Sequence, residues 1–134
     1  MSMNAVEKSM SYKSYLLVMS QLSSSKKACI TIQDRTIHID ASSKKNCWRL
    51  CTKIFDGEGN TPHGVRACLS STGLLRWEQG KSHLKYDSLN HVIYLIEDIA
   101  HQERSYIPFK YHIEDFIKVS QEWQEILEQL STIK

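Results

Sequence analysis

No run in this sequence reaches the ~20 apolar residues that a membrane-spanning helix requires. Met1 to Met10 also lack a cationic start followed by an apolar stretch, so no secretory signal is expected and the chain is placed in the compartment of its synthesis. Proline occurs twice, as Pro62 and Pro108, and glycine five times, which excludes collagen-like and low-complexity classes. The formal net charge is only +2, so charge alone gives no case for nucleic acid. Short Cys-x-x-Cys spacings are missing, as are a Gly-x-Ser-x-Gly turn and a phosphate-cradling glycine loop.

What is present fits an ordinary globular domain. Hydrophobic residues make up 41% and charged residues 24% of 134 residues. One domain over residues 1–134 is expected, able to bury roughly two-thirds of its unfolded surface without disulfides or metals. Charge is divided unevenly: residues 1–67 carry a net +5 and residues 68–134 a net −3. Lys26-Lys27 and Lys44-Lys45 could touch phosphate, but they lack the interleaved aromatics of a nucleic-acid surface and read as solvated charge.

Four cysteines, Cys29, Cys47, Cys51 and Cys68, read as reduced, small apolar residues, since disulfide frameworks belong to small secreted chains. A zinc site would have to combine Cys47 and Cys51 with Cys68, His63 or His83. On a strand, residues four apart lie about 13 Å apart. A single ion with ~2.3 Å bonds to sulfur cannot span that distance. The histidines, at positions 38, 63, 83, 91, 101 and 112, are scattered, and nothing selects a nucleophile–base pair. No metal, no cofactor and no enzymatic activity are therefore expected.

Periodicity gives the architecture. Tyr12, Leu16 and Met19, widened by Tyr15, Val18 and Leu22, predict a helix over 5–22, with Ser23 to Lys27 as a polar linker. The period then changes to two. Ala28, Ile30 and Ile32 alternate with polar residues, as do Ile37, Ile39 and Ala41. An Asp34-Arg35 loop would set Ile32 against Ile37 and Ile30 against Ile39, although Arg is disfavoured at the second position of a primed turn and a slightly longer loop is the alternative. A third strand places Trp48, Leu50, Thr52 and Ile54 on one face, and Asp56 to Pro62 reads as a loop. Val65, Cys68, Leu69 and Leu75 predict a broken helix over about 62–79, interrupted by Ser70-Ser71-Thr72-Gly73. A second hairpin joins Ser82–Asp87 to His91–Asp98, with Val92, Tyr94 and Ile96 sharing a face. Phe109, Ile113, Phe116, Ser120, Trp123, Leu127 and Leu130 repeat at steps of four and three, and Pro108 suits the first turn of a closing helix. The order is α-β-β-β-α-β-β-α, an α+β fold with a twisted, mostly antiparallel sheet packed by helices. The first helix and the first three strands carry more apolar surface than one core face needs, and such surplus commonly serves a partner.

The closing third carries a resemblance. His83-Leu84-Lys85-Tyr86, the turn Asp87-Ser88-Leu89-Asn90 and the apolar His91-Val92-Ile93-Tyr94-Leu95 precede the helix from Tyr111 to Leu127, with Phe116 and then Trp123 ahead of Ile126-Leu127. This pattern resembles the C-terminal part of class I type III secretion chaperones, the Tir-chaperone-like family, and the first half matches in element order. The resemblance implies a bacterial cytosolic homodimer that binds the N-terminal region of a secreted effector in extended form and keeps it export-competent without ATP hydrolysis. It implies effector contacts at Tyr12, Leu16, Met19, Ile32, Ile37, Trp48 and Leu50, and a dimer interface at Val65, Leu69, Leu75, Trp77, Val92 and Tyr94. A regulator that sequesters a transcription factor or polymerase subunit through the same surface is the other function considered. Members of the family are typically acidic, whereas this chain has a pI near 8.3.

Overall fold

The computed structural model describes residues 9–42, 47–71, 78–79, 82–100 and 103–133. Helix α1 spans Tyr12–Ser25. Ser11 caps it, its Oγ accepting from the Ser14 N–H at 3.1 Å. It ends at Lys26, whose φ of 65° takes the left-handed position that glycine commonly fills, with its N–H bonded to the Leu22 carbonyl. The helix therefore runs three residues beyond the expected Leu22, and residues 5–8 lie outside the described part. Ser24 and Ser25 finish the helix rather than form a linker: the Ser24 hydroxyl donates to the Gln21 carbonyl at 3.3 Å, and the single Ser25 hydroxyl proton is shared between the Gln21 and Lys27 carbonyls at 3.1 and 3.0 Å.

Strands β1 (Lys27–Ile32) and β2 (Arg35–Asp40) form a hairpin closed by Gln33 and Asp34, with φ of 53° and 64°. Two consecutive positive φ values match the twist of a type I′ turn. The expected Asp34-Arg35 loop is thus corrected by one residue: Arg35 stays on the strand opposite Ile32, and Ile30 pairs with Ile37. The register differs from the expected one by two positions. An even slip returns every side chain to the same face, so Ala28, Ile30, Ile32, Ile37 and Ile39 are all buried together as anticipated.

β3 (Trp48–Asp56) pairs with β2 and, across a bulge between Lys53 and Phe55, with β6 (Val92–Ile99). α2 (His63–Ser71) follows β3. The broken helix expected to reach residue 79 is corrected at its end: Glu78–Gln79 form a two-residue strand, β4, paired with β5 (Ser82–Asp87). Residues 72–77, between them, lie outside the described part. α3 (Tyr106–Ser131) closes the chain. The sheet order is β1-β2-β3-β6-β5-β4, with every described pairing antiparallel. The α+β class and the α-β-β-β-α-β-β-α order read from the sequence are those of the structure, with β4 added.

The helices collect on one face. α1 lies over β1, α3 over β3 and β6, and α2 against α3. Phe109, Ile113, Phe116 and Leu127 of α3 press onto Ile37, Ile39, Leu50, Leu95 and Ile99 of the sheet, all at most 1% exposed. On β6, Val92, Tyr94 and Ile96 do share a face, but it is the one turned from the helices; the core takes Ile93, Leu95 and Ile99. α2 reaches α3 closely because Gly64 has no side chain: a Cβ there would stand 2.0 Å from the Leu130 carbonyl oxygen.

Candidate functional site

α1 has only two fully buried residues, Val18 and Leu22, with Tyr15 and Met19 partly covered. Its remaining apolar side chains face solvent: Tyr12 is 56%, Leu16 48% and Leu17 56% exposed. The start of α3 adds Ile107 and Tyr111, at 53% and 57%. The two helices are tied at this corner by specific contacts. The Tyr15 hydroxyl donates to the Arg104 carbonyl at 2.6 Å, and Tyr106 donates to the Met10 carbonyl at 3.1 Å. The Tyr12 and Tyr106 rings meet edge to face at 5.1 Å, and Tyr15 packs against Phe109 at 5.8 Å. Trp48 extends the aromatic chain to β3: its ring meets Phe109 at 6.0 Å, with the Arg104 guanidinium 4.4 Å above it. Burial, followed by the neighbouring Tyr12, pushes the Tyr15 phenol up, which keeps it a donor.

Beside α1 lies an edge of the sheet that no strand pairs with among the described residues. β1 is the terminal strand. In a hairpin closed by two residues the closing pair is hydrogen-bonded, so the peptide groups of Lys27, Cys29 and Thr31 turn away from β2. The Ala41 N–H bonded to the Lys26 carbonyl at 2.8 Å follows the same alternation. Two of the outward groups are occupied by α1 side chains. Gln21 Oε1 accepts from the Cys29 N–H at 3.2 Å, and Ser25 Oγ donates to the Lys27 carbonyl at 3.0 Å. The Cys29 carbonyl and the Thr31 peptide groups face outward on the same edge.

The other face of the sheet has no helix among the described residues. Its first row alternates in charge from strand to strand, Lys27–Asp40–Arg49–Asp98. Arg49 Nε donates to Asp98 Oδ1 at 3.1 Å. The Ser42 hydroxyl and N–H hold the Asp40 carboxyl below its ordinary range, with smaller help from Lys27 and Arg49. The next row is Cys29–His38–Cys51–Ile96–His83. Lys27, Asp40 and Arg49 of the first row and His38, Cys51 and Ile96 of the second line a trough of about 810 Å³, with Lys85 and the exposed Leu89 also on its wall. Cys29 and Cys51 are separated by two strand spacings, about 9.6 Å, beyond the ~7 Å that a disulfide spans. Burial pushes the Cys51 thiol up, against the opposing effect of Lys85 and Arg49. Among the described residues no group of three or more His, Cys, Asp or Glu side chains is arranged to hold a metal ion.

One buried polar cluster fixes α3 onto the sheet. His112 Nε2 meets the Glu97 carboxylate of β6, and Nδ1 lies 2.8 Å from Glu103 Oε2. Glu97 also accepts from the Ser82 hydroxyl of β5. Burial lowers the His112 pKa, but the two carboxylates outweigh it and the net direction is up. The His112 ring is a clamp between α3 and β6, one turn past Pro108.

The expected site residues divide between surface and core. Tyr12 and Leu16 are exposed, and Met19 and Trp48 are half-buried, all on the helical side. Ile32, Ile37 and Leu50 are fully buried in the chain's own core, so fewer of the expected contact residues are accessible than the resemblance implied. Of the expected dimer residues, Val65, Leu69 and Val92 are buried within the chain and Tyr94 lines the trough. Val65 and Leu69 are core residues because Gly64 draws α2 onto α3. Leu75 and Trp77 lie outside the described residues. Leu17, Ile107 and Tyr111 were missed. The signal was available for the last two, an i, i+4 apolar pair lying off the core stripe of α3.

These features define an α+β domain with a solid helical core, an apolar corner and one bare sheet face. In comparisons with known proteins, no family model, no curated protein and no solved structure matched the chain. No described helix is long and apolar enough to cross a membrane.

Proposed function

We propose that this chain is a non-catalytic binding domain of the secretion-chaperone type, which holds an extended segment of a secreted effector in the bacterial cytosol before export. The observation that carries this reading is the exposed row Tyr12, Leu16 and Leu17 on α1, set beside the edge of β1 that no described strand pairs with. An extended segment can bond to an open strand edge while its apolar side chains seat on the neighbouring helix. Ordering such a segment costs entropy, so the contact must be long, and the corner at Ile107 and Tyr111 lengthens it. The resemblance in residue pattern and element order supports the same reading, and it adds a second copy of the chain as a partner.

The test is capture of the tagged chain from its native host, with mass spectrometry and limited proteolysis of what it retains. A secreted protein protected over an N-terminal stretch, with protection lost in Leu16→Asp, is the expected result. A retained transcription factor or polymerase subunit would transfer the site to the regulatory reading. No Leu16-dependent partner would overturn both.

A further inference from the structure

We propose that the segment bound at the α1–α3 corner is acidic, carrying carboxylates among its apolar anchors; the inference rests on the partner-binding reading above. Lys13 is the one charged residue of α1, and it is exposed. Lys26, also exposed, is the C-cap at the other end of α1, about 21 Å from its start. Over the first turns of α3, from Tyr106 to Tyr111, Lys110 is the one charge, and its Nζ lies 5.9 Å from the Tyr111 ring centre. Among the described residues none of these three ammonium groups forms an ion pair. The carboxylates nearest in sequence are Glu7, six residues before Lys13, Glu114 and Asp115, four and five residues after Lys110, and Glu103, which His112 engages.

The backbone adds charge of the same sign. α1 and α3 both begin at this corner, at Tyr12 and Tyr106, whose rings lie 5.1 Å apart. Each helix start carries the positive end of its dipole. Two helix starts and two lysines without an ion pair, Lys13 and Lys110, therefore bring positive potential to Tyr12, Leu16, Ile107 and Tyr111. The bare sheet face differs in kind: its Lys27–Asp40–Arg49–Asp98 row alternates and cancels within itself. The corner offers a field of one sign by which a partner can be selected.

The experiment pans the immobilised whole chain against a random-peptide phage library, with the Leu16→Asp variant as counter-selection. Leu16 is half exposed, so that variant keeps the fold, which circular dichroism checks. Enriched peptides are expected to combine aromatic or aliphatic residues with an excess of Asp and Glu. Lys13→Ala and Lys110→Ala are each expected to weaken them about two- to fivefold at low salt, the range for exposed ion pairs. Leu16-dependent peptides that are neutral or basic would sink the charge inference and leave the partner reading standing. An absence of Leu16-dependent peptides would sink both. Sedimentation of the wild-type chain, but not Lys13→Glu, with phosphatidylglycerol vesicles would replace the acidic segment with an anionic lipid surface.

Discussion

Replacing His112 with alanine removes the cation from a cluster in which Glu97 is 14% and Glu103 32% exposed. Truncating one partner of a buried ion pair commonly costs about 3–5 kcal/mol, because the remaining charge stays desolvated. Here the lower figure applies: Glu97 keeps the Ser82 hydroxyl, and Glu103 retains partial access to water. With an unfolding entropy near 2.1 cal/mol/K per residue, a 134-residue chain loses ~11 °C of Tm for about 3 kcal/mol. The dependence on pH has a definite sign. The His112 pKa is higher in the folded state than its ordinary 6.5. The clamp's contribution is therefore full below pH 6.5 and declines as pH rises through the folded value, at up to ~1.4 kcal/mol per pH unit. Urea unfolding of wild type and His112→Ala at a series of pH values measures this. The gap between them should be widest near pH 6 and shrink on the alkaline side. Adding Glu97→Gln to His112→Ala should restore part of the loss, since it removes the stranded carboxylate. A constant gap across pH, with no restoration by Glu97→Gln, would mean that the ring acts by packing alone and would refute the ionic account.

Three further outcomes are expected. Gly64→Ala should cost about 1–3 kcal/mol by overpacking, because its methyl would overlap the Leu130 carbonyl; thermal melts measure the loss, and hydrogen exchange should rise first in α2. Replacing Gln33-Asp34 by Asn-Gly should raise stability by about 1 kcal/mol in urea titration, since both residues hold positive φ without being glycine. Among the cysteines, a thiol-specific chromogenic reagent should modify the exposed Cys29 well before Cys51, whose burial disfavours the thiolate.

Periodicity was enough for the α+β order because each element commits to one period. Alternation from Ala28 to Ile39 and the four-three steps from Phe109 to Leu127 each admit one structure. The hairpin loop slipped by one residue because Gln33 carries no turn signature, and the loop depends on a backbone conformation that any polar residue can be forced to accept. The site was legible in one half. The surplus of apolar residues on α1 was legible, but which of them face out was not: periodicity put Tyr12 and Leu16 in the stripe that Val18 and Leu22 occupy, and the resemblance alone named them as contacts. Ile32, Ile37 and Leu50 were given to a partner by the resemblance, and alternation could not correct this, since it shows that residues share a face but not what covers that face. The His112 clamp was invisible, since Glu97, Glu103 and His112 meet only after β6 turns back under α3.

Gln21 and Ser25 give the open strand edge a temporary occupant. An unguarded terminal strand invites pairing with any extended chain, including a copy of itself. The guard here is a pair of neutral side-chain bonds from the adjacent helix. A newcomer that bonds to Cys29 displaces Gln21 into water, exchanging one hydrogen bond for another at little net cost. The edge is thus resealable: it closes between encounters without a conformational change, and it yields to a strand that also brings side chains for Tyr12 and Leu16. A strand without them gains only the exchange, which filters casual pairing.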